Sequence, residues 1–460
     1  MNRRLLLILI LALASRLLLM AQSPFELDSV LLMRGVEAFD PTAMRPHPPG
    51  YAGLVFLAKG LPLAPDTALR TLSALAVLPL LWGTWTLSED TGSDPLLATL
   101  LVACNPVAWM LGLTANAYAL PAAAALWFGI AALRLRQGAD WRMAGWTGLL
   151  WGCATALRPS LSLFLLPLLI WASRRQLGWA LLGAIPPVGV LLGLSALGSG
   201  GLLPYLEATW AQFAFIQQSH PPNWRLHQLH HLVVYAAQIC GGGLLLLPWL
   251  KRPKQAGGFA LWVLPALGFF ALIHLAKAGY LLALLPPVAV VLSGAQAPKA
   301  LKWAAPVLSA ACFLLARPID VELDPSPKAA FADKQWSQRV RGELSFWGSA
   351  SLERVRQQER SNRAYVTLLQ PLVIPGRTVL VGGDRWEPTL ASELLSGVEV
   401  VDGQTELSAP PSGLRVLLLS WQGAPEFSEV TGPQGHGVWL RDLDAAQQEL
   451  GEEPPSTAGN

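Results

Sequence analysis

The sequence predicts an all-α polytopic membrane protein with about 11 transmembrane helices, followed by a small C-terminal α/β domain. Of the 460 residues, 53% are hydrophobic and only 14% are charged, whereas about a quarter of an ordinary soluble domain is charged. Mean hydropathy is +0.41. Residues 1–317 contain 21 Lys/Arg and 10 Asp/Glu, and residues 318–460 contain 12 and 20. This composition argues against a disordered chain, a disulfide scaffold and a nucleic-acid-binding protein.

The uneven charge predicts a membrane-embedded body at 1–317, an extracytoplasmic α/β domain at 318–450 and a disordered tail at 451–460. Lys and Arg occur in twos and threes between the apolar runs of the body, which is typical of membrane loops and not of a phosphate-binding stripe. The four cysteines lie within apolar segments and lack CxxC spacing. We therefore expect buried thiols and no disulfide framework.

The apolar runs predict eleven helices. We interpret the first as an uncleaved span, although a cleaved signal peptide is the alternative, because Arg16 interrupts the run and no small-x-small cleavage site follows it. A run at 49–61 is too short to span a bilayer and is predicted to lie on its surface. The predicted helices are 5–22, 69–87, 95–113, 117–133, 143–157, 160–173, 177–198, 232–250, 257–275, 279–294 and 303–316.

We expect a multi-pass protein of the cell (inner or plasma) membrane, and the positive-inside rule predicts that its N-terminus is cytoplasmic. With that orientation, the predicted cytoplasmic loops hold 12 of the 21 basic residues of the body, namely Arg3, Arg4, Arg134, Arg136, Arg142, Arg174, Arg175, Lys251, Arg252, Lys254, Lys299 and Lys302. The same alternation places a long first loop, residues 23–68, and the acidic C-terminal domain outside.

The first outer loop carries half of the acidic residues of the body. The run Ser23-Pro24-Phe25-Glu26 has the pattern of a capping box, which predicts a structural role for Glu26. Asp28 then lies near the start of a short helix, where the helix dipole favours an ionised carboxylate. Such a carboxylate suits a general base or the stabilisation of a cationic transition state. A solvated loop acid is the simpler alternative.

The same loop contains the run Arg45-Pro-His47-Pro-Pro-Gly-Tyr51. Its prolines fix φ and disfavour helix in the residues before them, so Arg45 and His47 are held in an extended segment. A rigid Arg/His pair beside a helix start can bind a phosphate group. The alternative is a stiff turn with solvated side chains.

The order of these features resembles the first outer loop of GT-C glycosyltransferases, which include protein O-mannosyltransferases and bacterial aminoarabinose transferases. The resemblance implies that Asp28 is the catalytic carboxylate and that His47-Pro48 faces the donor phosphate. Many members have a second acid directly after the first, whereas Ser29 follows Asp28 here, so a metal-dependent mechanism is not indicated and we predict no cofactor. Shorter matches imply substrate contacts elsewhere in the body, at Asn116, Tyr118, Arg158, His274, Lys277 and Tyr280.

The resemblance implies an inverting membrane glycosyltransferase that moves a sugar from a polyprenyl-phosphate-linked donor to an unidentified acceptor at the outer face. Its partners are the lipid bilayer and the lipid-linked sugar, with no nucleic acid. Asp28 is the predicted catalytic residue, and the predicted donor-phosphate and substrate contacts are Arg45, His47, Tyr51, Asn116, Tyr118, Arg158, His274, Lys277 and Tyr280.

Two alternatives stay open. A transporter or flippase of lipid-linked sugars is disfavoured because the predicted spans contain no mid-membrane Asp or Glu and no internal repeat. A non-catalytic relative is compatible with the missing second acid.

Two further segments have weaker signals. In the outer loop 199–231, Leu202 to Gln218 is predicted to form an aromatic surface helix. His227 and His231 could bind zinc with His220 or His230, but no Cys or carboxylate is near, which favours histidines facing lipid headgroups. In the C-terminal domain, strands are predicted at 378–383, 398–402 and 415–420 and helices around 328–370 and 387–396. The absence of a GxGxxG or GxxxxGK[ST] motif argues against nucleotide binding.

Overall fold

The computed structural model describes residues 2–138, 140–218, 224–273, 277–317 and 348–372, and five strands between Thr378 and Asp442. The described residues divide into two units, one reaching Arg356 and the other beginning at Gln357. The predicted domain boundary after residue 317 stays a prediction. The predicted helix at 387–396 and the predicted tail at 451–460 lie outside the described residues.

The first unit is built from helices. The helix Leu352–Leu369 begins in it and continues into the second unit, where the 3₁₀ helix Gln370–Leu372 also lies. The α-helices are α1 Arg3–Leu18, α2 Leu27–Glu37, α3 Ala52–Lys59, α4 Pro65–Leu75, α5 Val77–Thr91, α6 Pro95–Ala103, α7 Pro106–Leu111, α8 Ala119–Arg136, α9 Trp141–Leu157, α10 Ser160–Ser173, α11 Leu177–Gly198, α12 Leu202–Gln218, α13 Trp224–Cys240, α14 Ala256–Leu272, α15 Leu285–Ser293, α16 Lys299–Leu315 and α17 Leu352–Leu369. Short 3₁₀ helices occupy Pro41–Ala43, Arg174–Gln176, Gly241–Trp249, Ala278–Leu284, Gly348–Ala350 and Gln370–Leu372.

Helices α8 to α11 follow the sequence prediction most closely, and α10 and α11 have the predicted bounds. Their ends are marked locally. The carboxylate of Asp140 accepts a hydrogen bond from the Met143 amide at the start of α9, and such caps fix where a helix begins. The all-α character predicted for the membrane body is confirmed.

The predicted helix at 95–113 is instead two helices, α6 and α7, that meet at Asn105-Pro106. Pro106 has no amide hydrogen to continue the first helix and is well suited to begin the second. The side-chain oxygen of Asn105 accepts hydrogen bonds from the Val107 and Ala108 amides, and its nitrogen donates to the Gln238 carbonyl in α13. The hydrogen bonds of the Asn105 cap therefore divide this apolar run into two helices, although its hydropathy alone predicts one.

Other predicted segments differ at their ends. The segment predicted at 69–87 begins earlier, at Pro65, and α4 and α5 together form an apolar stretch to Thr91. The segments predicted at 232–250 and 279–294 are partly 3₁₀ helix, in Gly241–Trp249 and Ala278–Leu284 respectively.

Four helical stretches in the described part of the chain are long and apolar enough to cross a membrane, judged by length and composition. They are Pro65–Thr91, Ala119–Arg136, Ser160–Gly198 and Gln228–Trp249. Shorter apolar helices lie at Ala256–Leu272 and Ala278–Ser293. The total of about 11 spans and the orientation of the termini stay predictions.

The second unit contains a mixed sheet of β1 Thr378–Gly382, β2 Val398–Asp402, β3 Arg415–Leu419, β4 Ser428–Thr431 and β5 Gly437–Asp442. The strand order is β2-β1-β3-β5-β4. Strand β1 pairs in parallel with β2 and β3, whereas β5 is antiparallel to β3 and β4. The three strands predicted from the sequence correspond to β1, β2 and β3.

Glycines allow helices of the first unit to approach closely. A Cβ atom on Gly148 of α9 would overlap the Ala180 carbonyl of α11, and one on Gly129 of α8 would overlap the ring of Trp262 in α14. In lipid, where burial of apolar surface gives no drive for helix association, such small residues let backbones pack by van der Waals contact.

Gly148→Ala is therefore expected to destabilise the protein by about 1–3 kcal/mol, the usual cost of overpacking. The matched control is Gly189→Ala in α11, where an added Cβ meets no atom within 4 Å. Because alanine favours helix over glycine, this control should be neutral or slightly stabilising. Thermal unfolding of both variants in the same detergent measures the difference, and equal midpoints would contradict the packing argument.

Candidate active site

Asp28 lies in the first turn of α2, as predicted. The predicted capping box is wrong, however, because α2 begins at Leu27 and Glu26 itself occupies the N-cap position with an extended backbone. The Glu26 side chain caps no amide there. It is directed instead to a cation from a distant part of the chain.

That cation is Lys277, which lies just before the 3₁₀ helix Ala278–Leu284. Its Nζ donates a hydrogen bond to Asp28 Oδ2 over 3.1 Å and lies 3.7 Å from Glu26 Oε2. One ammonium group thus bridges two carboxylates. The Lys277 side chain keeps 47% of its accessible surface and that of Asp28 keeps 24%, so both groups are reachable from solvent.

His47 approaches Asp28 from the other side. Its Nδ1 lies 4.0 Å from Asp28 Oδ1, and its Nε2 is 3.1 Å from the Tyr51 hydroxyl. Tyr51 has a left-handed backbone conformation, with φ of 48°, which is unfavourable for a residue with a Cβ atom. The Pro-rich segment and the start of α3 therefore place His47 and Tyr51 together beside Asp28.

Arg158, at the end of α9, is enclosed by three tyrosine rings. Its guanidinium carbon lies 4.6 Å from the ring centre of Tyr280, 4.7 Å from that of Tyr118 and 5.5 Å from that of Tyr51. Nη1 donates a hydrogen bond to the Ala117 carbonyl. The residue is only 8% exposed, so cation–π contact with the rings compensates much of its lost hydration.

The turn between α7 and α8 connects these groups. Ser29 Oγ donates a hydrogen bond to the Ala115 carbonyl, which fixes the start of α2 on this turn. Asn116 accepts hydrogen bonds from the Tyr118 and Ala119 amides. The Tyr118 hydroxyl is consequently held 3.4 Å from Asp28 Oδ2.

Gly279 allows the Lys277 segment to reach this turn. A Cβ atom on Gly279 would lie 2.7–2.9 Å from ring atoms of Tyr118, which is closer than nonbonded carbon atoms approach. With glycine there, Lys277 and Tyr280 lie on either side of a close contact with Tyr118. A larger residue would displace the ammonium group from the acidic pair.

The electrostatics of the site separate the two carboxylates. Burial by itself raises the pKa of Asp28, but the charges of Lys277 and His47 outweigh it, and its pKa is below the ordinary value. For Glu26, burial is the stronger influence and its pKa is raised in spite of Lys277. Burial by itself lowers the pKa of Lys277. The negative charges of the two carboxylates raise it by more than this, so the pKa of Lys277 is above its ordinary value. At neutral pH the site presents an ionised Asp28 and a charged Lys277.

The structure brings together most of the predicted site residues, namely Asp28, His47, Tyr51, Tyr118, Arg158, Lys277 and Tyr280. Arg45 lies apart from them. Its backbone pairs with Asp40, and its exposed side chain has no hydrogen bond or ion pair with any described residue. Asn116 is near the site but is 3% exposed and bonded to the backbone of its own turn. His274 lies outside the described residues.

Glu26 is the site residue that sequence reasoning missed. The sequence signal was present, since Glu26 and Asp28 are two residues apart at the start of the loop, but the capping pattern suggested another role. The second acid of this site thus precedes Asp28 and does not follow it.

The described side chains contain no group of three or more His, Cys, Asp or Glu residues that could hold a metal ion. Of the residues considered for zinc, His220 and the His227 side chain lie outside what the structure describes, and the rings of His230 and His231 are 6.1 Å apart. The zinc alternative therefore gains no support from the described residues.

No family model matches the sequence, and a search of curated proteins gives no match. Solved structures do match. A crystal structure of ArnT from Cupriavidus metallidurans bound to undecaprenyl phosphate aligns with a TM-score of 0.60 and 12% identity, over 95% of this chain and 97% of that chain. The apo state of the same protein aligns with a TM-score of 0.57 and 13% identity over the same shares. This chain thus has the fold of ArnT, which confirms the GT-C fold predicted from the first loop.

Proposed function

We propose that this chain is an integral membrane glycosyltransferase that transfers a sugar from a polyprenyl-phosphate-linked donor to an acceptor at the outer face of the membrane. The observation that carries the proposal is the bridge from Lys277 to Asp28 and Glu26, flanked by His47. It provides an ionised carboxylate and a half-exposed cation at one point that solvent can reach. The fold shared with a protein that binds undecaprenyl phosphate supports a lipid-phosphate donor.

In the proposed reaction, an acceptor hydroxyl donates a hydrogen bond to Asp28 and attacks the anomeric carbon. The new carbon–oxygen bond forms as the bond to the donor phosphate breaks, with inversion at that carbon. Asp28 has a low pKa and is therefore a weak base. It is nevertheless sufficient, because the attacking oxygen becomes strongly acidic once it bonds to carbon, and the proton then passes to the carboxylate and to water.

The leaving group is a lipid phosphate, which departs without a strong general acid because its charge is stable at neutral pH. The groups that offset this charge are Lys277 and His47. The Lys277 side chain is half exposed, so its ammonium group is open to a phosphate oxygen that approaches from solvent. Such charge-assisted contacts, formed as charge develops, lower the barrier of the step.

Arg158 has a different proposed role. Because three tyrosine rings and a backbone carbonyl enclose its guanidinium group, it is a positioning residue that holds Tyr51 and Tyr118 beside Asp28. Its charge acts on the phosphate at longer range and with less effect than that of Lys277.

The first test is Asp28→Asn. We expect polyprenyl phosphate release from a panel of polyprenyl-phosphate sugars to fall by about 10²–10⁴-fold, the usual contribution of a positioned acid–base group. The matched control is Asp40→Asn in the same loop. The Asp40 side chain accepts hydrogen bonds from the Thr42 and Ala43 amides and from the Thr42 hydroxyl, and the side-chain oxygen of asparagine can accept them as well.

Release by the wild type and by the Asp40 variant, but not by the Asp28 variant, supports the proposal and identifies the sugar. Equal release by all three removes Asp28 from the mechanism. If neither the wild type nor the control releases product with any sugar and any acceptor supplied, a non-catalytic role is the better interpretation. Thermal unfolding of each protein verifies that it is folded.

The second test is the pH dependence of Lys277→Gln. Removal of the ammonium leaves burial as the main influence on Asp28, so the pKa of Asp28 rises. Since the ionised carboxylate is required, the acidic limb of kcat/KM should move to higher pH than in the wild type, where it lies below the ordinary aspartate range near ~4.

Lys277→Arg is the control, because it keeps the positive charge and should keep the limb at low pH. Comparison of limb positions separates this effect from any general loss of rate. Coincident limbs in wild type and Lys277→Gln would contradict the electrostatic role assigned to Lys277.

A further inference from the structure

A charged cavity lies near the end of α15 that is farther from the candidate active site. It has a volume of about 300 Å³ and is lined by Asp94, Leu97, Ala297, Lys299, Lys302 and Trp303, from the starts of α6 and α16. This volume is roughly ten times the ~30 Å³ that one water molecule occupies in the liquid. The cavity is therefore large enough for a small polar group.

The path of the chain places this cavity away from the candidate active site. Helix α15 starts next to the 3₁₀ helix that contains Tyr280 and ends at Ser293. The following residue, Gly294, lies against Ser93, with a built Cβ 3.6 Å from the serine hydroxyl. The cavity is thus one helix length from Lys277, at the end that the sequence assigns to the cytoplasm.

Two lysines and one acid line the cavity, so its net charge is positive. Lys299 and Lys302 are three residues apart and so lie on one face of α16. Neither ammonium group has a hydrogen bond or ion pair with any residue that the structure describes. The single lining acid, Asp94, caps α6 by accepting hydrogen bonds from the Leu96 and Leu97 amides. In addition, lysines in the first turn of a helix are opposed by its dipole, so a bound anion would relieve an unfavourable arrangement.

An apolar surface continues from the cavity along α16. Trp303, Val307 and Leu314 are all exposed. Trp303 and Val307 are four residues apart on one face of α16, and Leu314 extends that face by two turns. A tryptophan at this position is typical of the membrane interface, with aliphatic residues deeper in the hydrocarbon. The surface therefore offers a place for an acyl chain directly beside the two lysines.

We propose that this cavity binds an anionic glycerophospholipid. Its phosphate contacts Lys299 and Lys302, and an acyl chain lies along Trp303, Val307 and Leu314. Basic pockets between helices at the cytoplasmic side are a known kind of site for anionic headgroups, and an acyl chain beside the pocket favours a lipid over a free phosphate ion. The cavity would hold α6 and α16 together at this end of the membrane body.

The experiment is native mass spectrometry of the full chain in detergent after addition of phosphatidylglycerol or phosphatidylcholine. For the wild type we expect retention of phosphatidylglycerol and little phosphatidylcholine. Lys299→Gln/Lys302→Gln should weaken phosphatidylglycerol retention about thirtyfold, which corresponds to the attraction of an anionic lipid for two lysines near the surface. Lys299→Arg/Lys302→Arg should keep it, which excludes loss through misfolding.

The matched control is Lys251→Gln/Lys254→Gln. These exposed lysines are at the same end, because the Gln296 amide donates a hydrogen bond to the Trp249 carbonyl, but they do not line the cavity. Equal loss in the control variant would overturn the proposal in favour of diffuse surface attraction. Equal retention of phosphatidylcholine, or displacement of phosphatidylglycerol by inorganic phosphate at equal concentration, would overturn it as well.

Discussion

The contact between Lys277 and Asp28 joins segments that are 249 residues apart in the chain, and the candidate active site depends on it. Both carboxylates of the site are partly buried, which by itself favours their neutral forms. The ammonium group keeps Asp28 ionised and leaves Glu26 with a raised pKa. The protonation states of the two acids therefore depend on the late segment that brings Lys277 to the first outer loop. Without Lys277, burial would raise the pKa of both acids.

Close packing at glycines allows the segment that carries Lys277 to reach the first outer loop. Gly279 lies against the Tyr118 ring, and Gly53 of α3 lies against the backbone at Ala156 near the end of α9. A side chain at either position would move a segment that carries a site residue. Buried hydrogen bonds then fix the orientation of these segments. One example is the bond from Ser29 to the Ala115 carbonyl, where an unpaired polar group would be costly. Small residues thus control distances in the site, and polar residues control directions.

Most of the helices in the membrane body could be predicted from the sequence because apolar runs and flanking charges are local signals. The break at Asn105-Pro106 was missed, since hydropathy averages over a cap that only its hydrogen bonds reveal. Asp28 and His47 could be predicted because the first outer loop resembles that of GT-C glycosyltransferases, and Lys277 because of a shorter match in a later segment. Glu26 could not be predicted in this way, because its role depends on a lysine that only the tertiary fold brings near. Arg45 was also predicted, but its side chain is exposed and makes no hydrogen bond or ion pair with any residue that the structure describes.

Under the proposed function, the raised pKa of Glu26 and the lowered pKa of Asp28 both affect how the site binds an anionic donor. A donor phosphate adds negative charge to a site that already holds two carboxylates and shares the charge of Lys277 with them. As Lys277 turns toward the phosphate, both carboxylates lose part of their stabilisation. In the proposed reaction Glu26, whose pKa is already raised by burial, is the acid that takes up a proton, which limits the repulsion while Asp28 stays ionised. Two acids two residues apart therefore let one site bind an anion and keep its reactive carboxylate.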